Sequence, residues 1–94
     1  MSESCDFMEQ NLNQYKIFFT VARLGNISHA AEELYISQPA ISKSISKLEE
    51  DLNTTLFIRR SRGVILTNEG EILFEHLKTA FDAISLGEER LKTI

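Results

Sequence analysis

The run Ser37-Gln38-Pro39-Ala40-Ile41-Ser42-Lys43 brings two hydroxyls, a carboxamide and an ammonium together, and Ser44 and Ser46 follow close behind. Side chains of these types hydrogen-bond to heteroatoms and attract anions. Without a base beside one of the hydroxyls they have no covalent chemistry to perform. Pro39 suits the first turn of a helix, where the amides have no intrahelical acceptor to lose, and Ser37 suits its N-cap. A surface helix chosen for stability alone would be filled with Glu, Lys, Gln and Arg, and serines at 37, 42, 44 and 46 weaken it. Such a side serves a helix whose backbone must approach something closely.

Ile41, Ile45, Leu48 and Leu52 recur at spacings of four, three and four and predict the buried stripe of this helix. At about 100° per residue, Pro39, Ser42, Lys43 and Ser46 then face the other way. Glu49, Glu50 and Asp51 fall in the last turn, away from the leading end.

Upstream, Asn11 with Gln14 has the spacing of a capping box, and Leu12, Tyr15, Phe19 and Ala22 predict a helix with one buried stripe. Gly25 ends it. Ser28 is the expected N-cap of a short helix through Ala30, Ala31 and Leu34. Downstream, TTLFIRRSRGVILT reads as a hairpin turning around Arg60-Ser61-Arg62-Gly63, with Gly63 at positive φ. Either Asn68 (with Glu71) or Thr67 caps a last helix. In that helix Leu73, Leu77, Ala80, Ile84, Gly87, Leu91 and Ile94 keep heptad spacing, and Phe74 and Phe81 lie on a neighbouring face. One apolar side can pack on the body of the domain and another on a partner.

The charge distribution agrees with a local anion-facing surface. The chain is formally −4, yet residues 37–66 carry Lys43, Lys47, Arg59, Arg60 and Arg62 against Glu49, Glu50 and Asp51, a net +2. The segments 1–36 and 67–94 are each −3. Two helices joined by a short turn, the second opening with small polar groups, have the geometry of a helix-turn-helix. Ser37 and Gln38 stand at the positive end of the helix dipole, and Gln38 has the donor and acceptor that match adenine N6 and N7. The hairpin arginines, Arg62 foremost, suit phosphates or a minor groove.

Other chemistries lack their parts. His29 and His76 are isolated, no glycine-rich phosphate loop is present, and the single cysteine, Cys5, forms no CxxC pair. No catalytic residue, metal or cofactor is expected. No apolar run is long enough to span a bilayer, and MSESCDF lacks the order of a signal peptide, so the expected location is cytoplasmic.

The stretch from Asn11 to Gly70 closely resembles the N-terminal winged helix-turn-helix of the LysR-type bacterial transcriptional regulators. The tokens are F-x-x-V-A-x-x-G, S-x-A-A-E-x-L, S-Q-P-A-x-S, L-F-x-R and L-T-x-x-G, in that order. The fold implied is mainly α with a small β-hairpin: a leader over 1–10, disordered or frayed, a winged helix-turn-helix over 11–67 and a linker helix over 68–94. The resemblance implies sequence-specific binding of double-stranded DNA, with a recognition helix at about 38–52 in the major groove and a wing at about 57–67 beside it. Gln38, Pro39, Ala40, Ser42 and Lys43 would approach base edges, with Ser37 and Ser46 along the same side. Ser28 would meet a phosphate and Arg62 the minor groove.

A homodimer through Leu73, Leu77, Ala80, Phe81, Ile84 and Leu91 would read an interrupted inverted repeat in the nucleoid of a bacterium. Lys43 departs from the frequent arginine, a point charge replacing a fork. Family members continue into an effector domain that binds a small molecule. A chain stopping at Ile94 is expected to be a piece or a truncated relative without that sensing function. The rival expectation is a winged-helix module for protein contacts, using the acidic surface.

Overall fold

The computed structural model describes the backbone of residues 2–93 and the side chains of residues 12–93. The expectations that rest on Cys5, on the leader's side chains, on the Asn11 half of the capping box and on Ile94 lie outside the described residues. The order is α1 (Ser2–Leu24), α2 (Ile27–Leu34), α3 (Gln38–Leu52), β1 (Phe57–Arg60), β2 (Gly63–Leu66) and α4 (Asn68–Lys92). This is the expected mainly helical chain with one two-stranded antiparallel hairpin. Among the described residues, no helix is long and apolar enough to cross a membrane.

The first helix turns a different face inward from the one that spacing predicts. Ile17, Phe18 and Val21 are buried, with Gln14 and Thr20 beside them, whereas Leu12 is half exposed. The Tyr15 and Ala22 side is only partly covered. The physical reason is that α1 is central and packs on two sides. Its Phe18 face meets α2, α3 and the hairpin, with Phe18 and Phe57 rings 5.1 Å apart. Its Phe19 face meets α4, where Phe74 stacks at 4.9 Å and Phe81 meets the ring edge-on at 5.1 Å. A central helix has two apolar stripes, and spacing alone picks out either. Nor does α1 begin at the box, since helical backbone runs through Asn11 and Gln14 without a break.

Caps set the other boundaries. Asn26, not Ser28, starts α2, its side chain accepting from the His29 amide at 3.0 Å. Ser28 is thereby left on the exposed first turn. Ser37 caps α3 as expected, accepting from the Ala40 amide at 3.2 Å. Thr67 caps α4 by accepting from the Gly70 amide at 2.9 Å, and its hydroxyl also donates to the Thr55 carbonyl at 2.7 Å. That second bond decides between Thr67 and Asn68, because it ties the cap to the strand entrance. In α3, Ile41, Ile45 and Leu48 are buried, but Leu52 remains 41% exposed, since the last turn runs past the body.

The hairpin is pinned at its root. Phe57 pairs with Leu66 and Arg60 with Gly63, leaving Ser61 and Arg62 as the turn. Gly63 has φ of +134°, and a Cβ there would stand 2.3 Å from the Gly25 carbonyl oxygen. The Val64 amide donates to that same carbonyl at 3.1 Å. Glycine is therefore needed at 63 because the strand touches the α1–α2 corner, a stronger reason than turn geometry alone. Glu49 is the matching tie on the other side: its Oε2 accepts from the amides of Leu56 (2.7 Å) and Phe57 (3.3 Å). The trailing acids of α3 thus include one that holds the strand in place.

Candidate nucleic-acid interface

The leading end of α3 is open. Ser37, Gln38, Pro39, Ala40, Lys43 and Ser46 are exposed and Ser42 is half-buried, while Ile41 and Ile45 beneath them are closed in the core. No aromatic or branched apolar side chain stands along this row, so the helix axis can come within reach of a partner's groove. Ser28 faces the same opening from α2, and the Gln38 Nε2 donates to its Oγ at 3.0 Å. That bond fixes both side chains before any partner arrives and leaves the Gln38 oxygen, its second Nε2 hydrogen and the Ser28 proton to be used outward. Spacing places these two residues on separate helices; only the fold makes them a pair.

The hairpin touches the start of α2, the helix that carries Ser28. Arg59 and Arg60 share a shallow depression with Asn26 and Ile27, the residues that open α2 just before Ser28. Arg62 occupies the turn and is exposed. Among the described residues the ion pairs are Arg23 with Glu33, Lys47 with Asp51 at 3.7 Å and Lys78 with Asp82 at 3.2 Å. Lys43, Arg59, Arg60 and Arg62 have no carboxylate partner among them. Exposed cations without ion-pair partners on α3 and the hairpin give the chain a local positive surface, while Glu33 and Asp82 engage their own cations and Glu32 borders the depression beside Ser28 and Gln38. No group of three or more His, Cys, Asp or Glu side chains that could hold a metal occurs among the described residues.

The residues expected to join two chains differ in exposure along the length of α4. Leu73, Leu77 and Phe81 are partly covered by the chain's own body, Phe81 against Phe19. Ala80 is exposed, as are Ile84 (56%) and Leu91 (72%). Ile72 and Leu86, which lie outside the heptad, are also at least half exposed. The heptad count misses them because they stand on flanking positions.

Comparison with known proteins finds relatives in sequence and in fold. Residues 12–71 match the family described as bacterial regulatory helix-turn-helix protein, lysR family. The HTH-type transcriptional activator AmpR of Rhodobacter capsulatus is 42% identical over 80 residues, 85% of this chain and 28% of that protein. The nitrogen assimilation regulatory protein nac of Klebsiella aerogenes is 41% identical over 69 residues, 73% of this chain and 23% of its own length. The chain thus spans little more than a quarter of the curated relatives it matches. Among solved structures, the BenM DNA-binding domain in complex with catB site 1 DNA superposes with a TM-score of 0.79 at 30% identity, covering 88% of this chain and 92% of that one. The CbnR DNA-binding domain complexed with DNA gives 0.74 at 33% identity, covering 86% and 93%.

Proposed function

Since this chain belongs to the lysR family of bacterial regulatory helix-turn-helix proteins, we propose that it is the DNA-reading part of a transcriptional regulator, binding duplex DNA sequence-specifically. One observation carries the proposal: the exposed, small-residue leading side of α3, with Gln38 bonded to Ser28 and with Lys43 and the hairpin arginines exposed and without an ion-pair partner among the described residues. In this reading α3 enters the major groove. Gln38, Pro39, Ala40, Ser42 and Lys43 meet base edges, Ser37 and Ser46 line the approach, Ser28 meets a phosphate, and Arg62 reaches the minor groove from the hairpin turn. Relatives solved on DNA support it.

Salt dependence tests the reading. If Lys43, Arg59, Arg60 and Arg62 of two chains each displace one counterion from the duplex, whether in a groove or at a phosphate, about eight are released, and the slope of log K against log salt should be about −7. A flat response, measured by fluorescence anisotropy from 50 to about 200 mM salt, would instead favour a protein-binding winged helix.

The same reading assigns α4 to a two-fold pairing, so that each half of an interrupted inverted repeat receives one α3. Ala80, Ile84 and Leu91 would lie at the centre of that contact, with Leu73, Leu77 and Phe81 bridging it to the body. Ile84→Lys with Leu91→Lys should shift this chain from dimer to monomer in sedimentation velocity and leave its circular dichroism intact, because neither residue is in the core. A dimer that survives both changes removes α4 from the assembly.

A further inference from the structure

Tyr35 stands out in the turn between α2 and α3. It closes α2 with left-handed backbone, φ 57° and ψ 40°, its amide donating to the Glu32 carbonyl at 3.4 Å. Helices commonly end with a left-handed residue, but glycine or asparagine normally takes the place, since a bulky side chain is strained there. The other helix ends of this kind follow that rule: Gly25 closes α1 with φ 66° and Asn53 closes α3 with φ 52° and ψ 45°. A bulky residue could still be justified by what it buries. Tyr35 buries almost nothing, being 94% exposed.

A residue that breaks a local rule without improving its own fold points to a ligand. Its surroundings indicate which. Tyr35 borders the open depression shared by Ser28, Glu32, Ser37 and Gln38. When the second helix of a helix-turn-helix lies in the major groove and the first crosses the backbone, the turn joining them stands over the strand at the groove's edge. The Glu32 carboxylate in the same depression opposes an anion settling deep inside it. A neutral donor projecting from the rim avoids that repulsion and still reaches a phosphate oxygen.

We propose that the Tyr35 hydroxyl donates a hydrogen bond to a DNA phosphate at the edge of the major groove, a sequence-independent contact that registers α3 on the duplex. The inference rests on the DNA-binding reading above. Because a phenol carries no charge, the contact adds affinity without releasing a counterion.

The experiment compares wild type, Tyr35→Phe and Tyr35→Asn by anisotropy on two duplexes, one recovered by selection from random sequences and one unselected. Thermal unfolding of each variant accompanies it. Tyr35→Phe should weaken binding to both duplexes by about tenfold for each chain bound, the loss of one hydrogen bond to a charged acceptor per chain, with an unchanged salt slope. Tyr35→Asn should lose at least as much affinity while its Tm stays the same or rises, because asparagine tolerates the left-handed backbone better. Binding by Tyr35→Phe within about twofold of wild type on both duplexes overturns the proposal. So does a loss confined to the selected duplex, which would mean a base contact, and so does a Tm drop of more than about 5 °C in Tyr35→Asn, which would make the residue structural. If wild type itself shows no salt-dependent binding to either duplex, the DNA-binding reading fails and this inference fails with it.

Discussion

Gly70→Ala is expected to destabilise the fold sharply, although glycine to alanine inside a helix normally stabilises by about 0.5–1 kcal/mol. Gly70 is the buried residue of α4, and a Cβ there would stand 2.2 Å from the Leu56 carbonyl oxygen and 3.0 Å from Leu66 Cδ2. The nearer obstacle is backbone, and that backbone is held: the Leu56 carbonyl accepts from the Thr67 amide at 3.0 Å, and the Leu56 amide is fixed by Glu49. Relief would require moving α4 away from the hairpin root and giving up the Thr67 cap. An overpacking cost of about 1–3 kcal/mol, with the ordinary helix gain forfeited, should lower Tm by roughly 10 °C or more for a domain of this size. Gly87→Ala is the internal control. Nothing lies within 4 Å of its added Cβ, so that variant should gain about 0.5–1 kcal/mol when compared at fixed protein concentration. Equal Tm changes in the two variants would mean that the close approach at Gly70 does not exist in solution.

Gln38→Ala is expected to have the largest effect on selectivity. Removing a bidentate carboxamide should cost about 1–3 kcal/mol at one base position and leave binding to other sequences nearly unchanged. Arg62→Ala should act in the opposite manner, weakening all duplexes alike and reducing the steepness of the salt response by about 0.9 for each phosphate that is no longer neutralised. The structure adds an intermediate case. Ser28→Ala deletes the acceptor that holds the Gln38 amide at 3.0 Å, so Gln38 keeps its chemistry but loses its preset geometry. That variant should lose affinity through the phosphate and part of the selectivity through Gln38. A selection against random duplexes reads all three. If the ranking of recovered sites is the same for Gln38→Ala and wild type, Gln38 does not read a base.

Much of the architecture is written in local signals. Ser37 and Pro39 mark the start of α3, Gly25 the end of α1, and Arg60-Ser61-Arg62-Gly63 the hairpin turn. The family tokens add the order in which these parts are assembled. Each signal works because the forces behind it, orphan amides at a helix start and positive φ at a glycine, act within a few residues of the chain. The open row on α3 is legible for the same reason: helical period alone sets Ser42, Lys43 and Ser46 opposite Ile41, Ile45 and Leu48.

What fails to show in the sequence depends on neighbours distant along the chain. Spacing misassigns the buried face of α1 because α4 covers a second stripe through Phe19, Phe74 and Phe81. Glu49 reads as a solvated acid until the strand entrance is brought against it. Ser28 reads as a cap until Asn26 takes that role and frees it for Gln38. The left-handed, exposed Tyr35 leaves no trace in composition or period at all. The sequence by itself determined which elements form and which residue types line the leading side of α3. Tertiary packing decided which faces close, which cations remain unpaired, and which side chains are held ready, because those outcomes depend on distances between segments that no local rule contains.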